Sequence, residues 1–119
     1  METIFGITPP IGYQWLIDKG LVGFDAFTQL QPWYYIKQEE FFWANERWKD
    51  VTNERLLVFA RRQDCDDFAC FIVGKNNAIE GVALIHGWTE AGFDVVQQFS
   101  DFWEWLKQVI QDISEVAKT

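Results

Sequence analysis

Three apolar runs in the middle of the chain constrain its fold more than any other feature. They are Arg55-Leu56-Leu57-Val58-Phe59-Ala60, Asp67-Phe68-Ala69-Cys70-Phe71-Ile72-Val73 and Val82-Ala83-Leu84-Ile85-His86. Each has the length of a strand, and Gly74-Lys75-Asn76-Asn77 between the last two is turn chemistry. Connectors this short force neighbouring strands to run antiparallel, because a parallel crossover takes about a dozen residues or more. None of the runs alternates apolar with polar residues. Both faces of the sheet therefore carry large side chains, and both need cover.

One cover is legible at the C-terminal end. Phe99, Phe102, Trp103, Leu106, Val109, Ile110, Ile113 and Val116 recur at helical spacing, with Ser100 as the expected cap and Asp101 and Glu104 near the positive helix end. Near the start of the chain, Thr8-Pro9-Pro10 predicts a helix beginning, Ile11, Trp15 and Leu16 its buried stripe, and Gly20 its end. Residues 21–31 fit either a loop or a short helix. Residues 32–37 read as an edge strand, since proline is tolerated there or at a strand's first residue. Residues 38–50 favour helix, with Phe41, Ala44 and Trp48 on one face. The expected fold is α+β: an antiparallel β-sheet of about four strands with helices packed on it, including a long C-terminal helix. No linker, repeat or low-complexity segment divides the chain, so residues 1–119 read as one domain.

Charge narrows the function. Ten Lys plus Arg against eighteen Asp plus Glu leave a net charge of −8. That argues against nucleic acid, which is held by Lys and Arg on phosphates, and against anionic membrane surfaces. No window approaches the ~20 apolar residues of a bilayer span. Met1-Glu2-Thr3-Ile4-Phe5-Gly6 lacks the basic start of a secretory signal. Cys65 and Cys70 read as reduced thiols of a cytoplasmic protein, with Cys70 a small core residue. Aromatic residues make up 18% of the chain and include seven tryptophans, more than a small domain readily hides. Some of these rings are expected to face a partner.

Catalytic constellations are hard to assemble. His86 is the single histidine, read as packed or hydrogen-bonded, and two cysteines with one histidine fall short of a closed zinc site. Ser100 and Ser114 are the only serines, both in the C-terminal helix, and no glycine-rich phosphate loop appears. The acidic run Asp64-Cys65-Asp66-Asp67 fails as a calcium loop at Ala69 and Lys75, where glycine and glutamate would be needed. As catalytic carboxylates, Asp66 and Asp67 would point to opposite faces of a strand. A small hydrolase with magnesium on Asp64 and Asp66 is a third, weaker reading. Cross-turn pairing of Arg61 and Arg62 with these acids is the purely structural one. No cofactor or metal is expected.

Three stretches, taken together, carry a family resemblance. They are Leu30-Gln31-Pro32-Trp33-Tyr34-Tyr35-Ile36, the segment from Leu57-Val58-Phe59-Ala60 through Arg61-Arg62-Gln63-Asp64-Cys65-Asp66-Asp67 to Phe68-Ala69-Cys70-Phe71, and Phe99-Ser100-Asp101-Phe102-Trp103-Glu104-Trp105-Leu106. Their order and spacing resemble the SUKH superfamily, in the branch named after a fungal cell-wall-assembly regulator. The resemblance implies an α+β domain without a catalytic motif and, as in many bacterial members, an immunity role in which a cognate toxin, often a nuclease, is bound and silenced. This chain departs from the commoner pattern by carrying residues 61–67 where a glycine-rich segment usually follows the strand. An acidic inhibitor is steered toward a basic nuclease cleft, and aromatic anchors supply affinity. The partner-binding residues expected on this reading are Asp64, Asp66, Asp67, Trp88 and Glu90, with antiparallel polarity bringing Asp66 and Asp67 near Trp88 and Glu90. A regulatory or scaffold module binding an endogenous protein is the alternative, and pairing of two copies as a homodimer stays open.

Overall fold

The computed structural model describes residues 4–25, 32–48 and 52–118. Residues 26–31 and 49–50, on which parts of the loop-or-helix and helix expectations fall, lie outside them, as does the Val116 side chain. The expected α+β architecture is present, with more strands than the sequence announced. Helix α1 (Ile11–Asp18) is followed by β1 (Trp33–Tyr35), β2 (Phe42–Trp43), α2 (Ala44–Arg47), β3 (Arg55–Arg62), β4 (Asp67–Val73), β5 (Ile79–Thr89), β6 (Gly92–Phe99) and α3 (Phe102–Lys118). The sheet is antiparallel in the order β1-β3-β4-β5-β6, with β2 pairing the same edge of β3 as β1. About four strands were expected and six are observed. Strand β6 escaped the sequence reading because residues 94–98 are exposed, so no burial pattern marks them. Phe99, read as part of the last helix, instead pairs with Val82.

The double cover that the apolar runs demanded is met by two unequal cores. On one face Leu57, Phe59, Ala69, Phe71, Val73 and Val82 pack under α1 and α3, through Tyr13, Leu16, Phe102, Trp105 and Val109. Tyr13 sets its ring edge-on to both Phe59 and Phe71, which stack on each other at 4.0 Å. On the opposite face Leu56, Val58, Phe68, Cys70, Ile72, Ala83, Ile85 and Phe93 pack with Ala44 and Trp48.

Local expectations are corrected in each of the three helical segments. Over its described residues, the helix expected across 38–50 is broken into a 3-10 turn at residues 38–40 and the single turn of α2, because β3 has an unpaired edge and Phe42 and Trp43 pair there with Val58 and Leu57. Sheet pairing overrides helix propensity. As a result Phe41 enters the first core while Ala44 and Trp48 enter the second. In α1 the buried residues are Gly12, Tyr13 and Leu16, whereas Ile11 and Trp15 are exposed. A Cβ on Gly12 would lie 2.8 Å from Phe102 Cδ2 and 2.9 Å from the Trp103 ring, so this close crossing turns Ile11 and Trp15 outward. Gly20, at φ +67°, ends α1 as expected, but no side chain caps its start, where Pro10 rather than Thr8 precedes the first turn. In α3 the cap is Asp101, whose Oδ1 accepts the Glu104 N–H at 2.9 Å, and Trp105 rather than Trp103 faces the core. Among the described residues no helix is long and apolar enough to cross a membrane.

Candidate protein-binding site

The end of the sheet where β4 begins and β5 finishes gathers most of the expected site, and strand parity sorts it onto two faces. Register pairs Asp67 with His86, and the Gly87 N–H donates to the Asp66 carbonyl at 2.8 Å. Asp66 and Asp67 thus lie beside residues 86–87, as antiparallel polarity requires. Phe68 and Ile85 belong to the second core. Their neighbours Asp67 and His86 must therefore point to the face that carries the helices. There the two side chains meet, Nδ1 to Oδ1 at 2.8 Å. That hydrogen bond to Asp67, with the negative charge around it, raises the imidazole above its ordinary pKa.

Asp64 belongs to the same face. Arg62 Nε donates to its Oδ1 at 2.7 Å, and Arg62 also reaches Asp112 of α3 at 3.6 Å. The guanidinium hydrogen bond holds the Asp64 carboxyl below the usual carboxylate range. Asp64, one of the two acids that the hydrolase reading assigned to magnesium, is thus engaged by an arginine. Among the described residues no group of three or more His, Cys, Asp or Glu side chains is arranged to hold a metal ion. Cys65 is exposed and Cys70 buried, both as free thiols, and burial pushes the Cys70 thiol far up.

Trp88 goes the other way. Between the pairs His86–Asp94 and Thr89–Gly92, two residues of β5, Gly87 and Trp88, oppose the single Phe93 of β6. This bulge breaks the alternation, and Trp88 takes the left-handed backbone at φ +61°. Instead of following His86 to the helix face, the indole lies on the second face, edge-on to Trp48 with ring centres 5.2 Å apart. It remains 60% exposed. Glu90 sits exposed at the tip of the β5–β6 hairpin. The five expected residues therefore share one end of the sheet but not one surface.

A cleft of about 280 Å³ that sequence reasoning missed opens beside Trp88, walled by Tyr34, Phe42, Phe68, Arg47 and Arg61. The signal was available in part: the short β3–β4 connection sets Arg61 directly opposite Phe68, so Arg61 crosses to an aromatic partner and Arg62 alone takes the acids. Arg47 and Phe42 were hidden by the helix expected there.

The chain matches no known family profile, curated protein or solved structure. The reading of its function accordingly rests on the residues and the geometry above.

Proposed function

We propose that this domain is a non-enzymatic protein-binding module of the immunity kind, which silences a cognate toxin by direct contact. The observation that carries the reading is Trp88: the largest side-chain type, mostly exposed, and held in a backbone conformation that L-residues adopt at a cost. Folding alone gives little reason to keep tryptophan there, whereas a partner that buries the indole does, since such rings dominate interface energies. Trp15 and Trp103 are also about half exposed. Asp64, Asp66 and Asp67 at the same end supply negative potential, and with the overall charge of −8 they suit a basic toxin surface such as a nuclease cleft. The SUKH-like stretches add a second, independent line of support.

Co-expression with the products of the genes flanking its own tests the proposal. The expected result is relief of growth inhibition by one of them and a one-to-one complex on size exclusion. Trp88→Ser and the pair Asp66→Lys and Asp67→Lys should weaken that complex without changing the unfolding midpoint by more than the local contacts predict. Absence of both protection and complex overturns the toxin reading; a complex with a harmless endogenous protein makes the domain a regulatory module instead.

A further inference from the structure

The chain's four arginines are used very unequally. Arg62 is committed to Asp64 and Asp112, and Arg55 lies over Trp43 and donates to Asn77. Arg47 and Arg61 have no carboxylate within ion-pair distance among the described residues, although the chain carries eighteen acids. Each instead stacks on a ring of the same cleft: Arg47 Cζ stands 3.9 Å from the Phe42 centroid, and Arg61 Cζ 5.4 Å from that of Phe68. The two rings meet edge to face at 6.1 Å, and Trp88 shares the wall.

Stacking fixes a guanidinium plane while leaving its N–H edge free to donate, and the apolar ring beneath reduces competition from water. Two such cations in one aromatic cleft form a local positive site on an otherwise acidic protein. Among the described residues, Glu40 is the single acid on its wall. Carboxylate is the natural complement, being planar and matched to the guanidinium fork. A polyphosphate chain, by contrast, would bring many charges against the chain's excess of acids. We infer that this cleft takes a carboxylate flanked by an apolar or aromatic side chain, presented by an acidic segment of a protein partner. The inference rests on the reading of the domain as a protein-binding module and names the chemistry of one contact.

The probe is an acetylated and amidated pentapeptide in which two glutamates flank a phenylalanine, titrated into the full chain and followed through the Trp88 indole N–H resonance. Saturable binding is expected, weaker by about tenfold on Arg47→Gln or Arg61→Gln, as loss of one charge-assisted hydrogen bond implies. Glu40→Gln should tighten it by about twofold, because a like charge leaves the wall. The same peptide with glutamines in place of glutamates should fail to bind. Equal binding of the glutamine peptide, or unchanged affinity in both arginine variants, overturns the inference. So does 3-phenylpropionate binding as tightly as the peptide, which would make the cleft a small-molecule site, or a thymidine oligonucleotide binding more tightly. Both arginines are surface residues, and matched unfolding midpoints verify the fold. A partner complex that survives the double arginine variant overturns the cleft and leaves the module standing. A peptide that binds where no partner complex exists leaves the cleft and overturns the module.

Discussion

At most strand positions glycine is the worse choice than alanine, by about 0.5–1 kcal/mol of backbone entropy. At position 88 the order should invert. The backbone there has φ +61°, and an L-residue in the left-handed region carries a cost of about 1–2 kcal/mol that glycine escapes. Subtracting the entropy term leaves about 1 kcal/mol in favour of Trp88→Gly over Trp88→Ala. The two variants lose the same indole contact with Trp48, worth about 0.5–1.5 kcal/mol beyond area burial, so the comparison isolates the backbone. Urea unfolding reads it directly. With a slope of about 2 kcal/mol per molar, the glycine variant should unfold about 0.5 M later than the alanine variant, with equal slopes. Equal midpoints, or alanine the more stable, would show that the bulge carries no strain and would remove the main physical argument for function at Trp88. Both variants should lose partner affinity to the same degree, since the anchor is absent from each.

Further outcomes follow from the same contacts. A Cβ on Gly87 would lie 2.8 Å from Trp48 Cζ2 and 3.1 Å from Phe68 Cε2, so Gly87→Ala should cost about 1–3 kcal/mol by overpacking and displace the ring that supports Trp88; a thermal midpoint at or above that of the parent refutes this. Tyr35 is fully buried and its hydroxyl finds no hydrogen-bond partner among the described residues, so Tyr35→Phe should stabilise by about 1 kcal/mol, seen as a melting temperature raised by a few degrees rather than lowered. The imidazole of His86 is raised by its bond to Asp67. Its contribution to stability is therefore complete below the unfolded pKa of 6.5 and fades as pH climbs through the folded value. Parent and Asp67→Asn proteins should accordingly differ more in unfolding midpoint at pH 5 than at pH 8, and a gap that widens with pH would contradict the pairing.

The parts of the fold that came through in the sequence are those where burial writes itself into residue type. The runs of β3, β4 and β5 are apolar on both faces, so their number, polarity and need for double cover were legible without knowing what covered them. The edges were not. Strand β6 is solvent-exposed over residues 94–98 and looks like polar chain, while Phe42 and Trp43 sit among good helix formers and join the sheet only because the edge of β3 offers them hydrogen bonds. The site shows the same division. Placing Asp66 and Asp67 beside residues 86–87 needed only antiparallel polarity. Placing Trp88 needed the bulge, a consequence of how β5 and β6 fall out of register of which Gly87 inside the strand is only a weak local hint.

That bulge decides more than the position of one ring. Had β5 kept its alternation, Trp88 would stand beside His86 on the helix face, among Asp64 and Asp67, and the arginine cleft on the other face would lose its indole wall. One extra residue instead puts the indole with the arginines: carboxylates with their histidine and arginine partners lie on one side, and on the other an aromatic cleft whose two arginines have no carboxylate within ion-pair distance among the described residues. A surface of one sign attracts any basic protein. A surface that changes sign across the thickness of a sheet rewards only a partner that presents basic and acidic elements in matching order, because reversing that order sets like charges against each other at both lips. Charge alone would then govern how fast a partner arrives, and Trp88 in the wall of the arginine cleft would govern which partner stays.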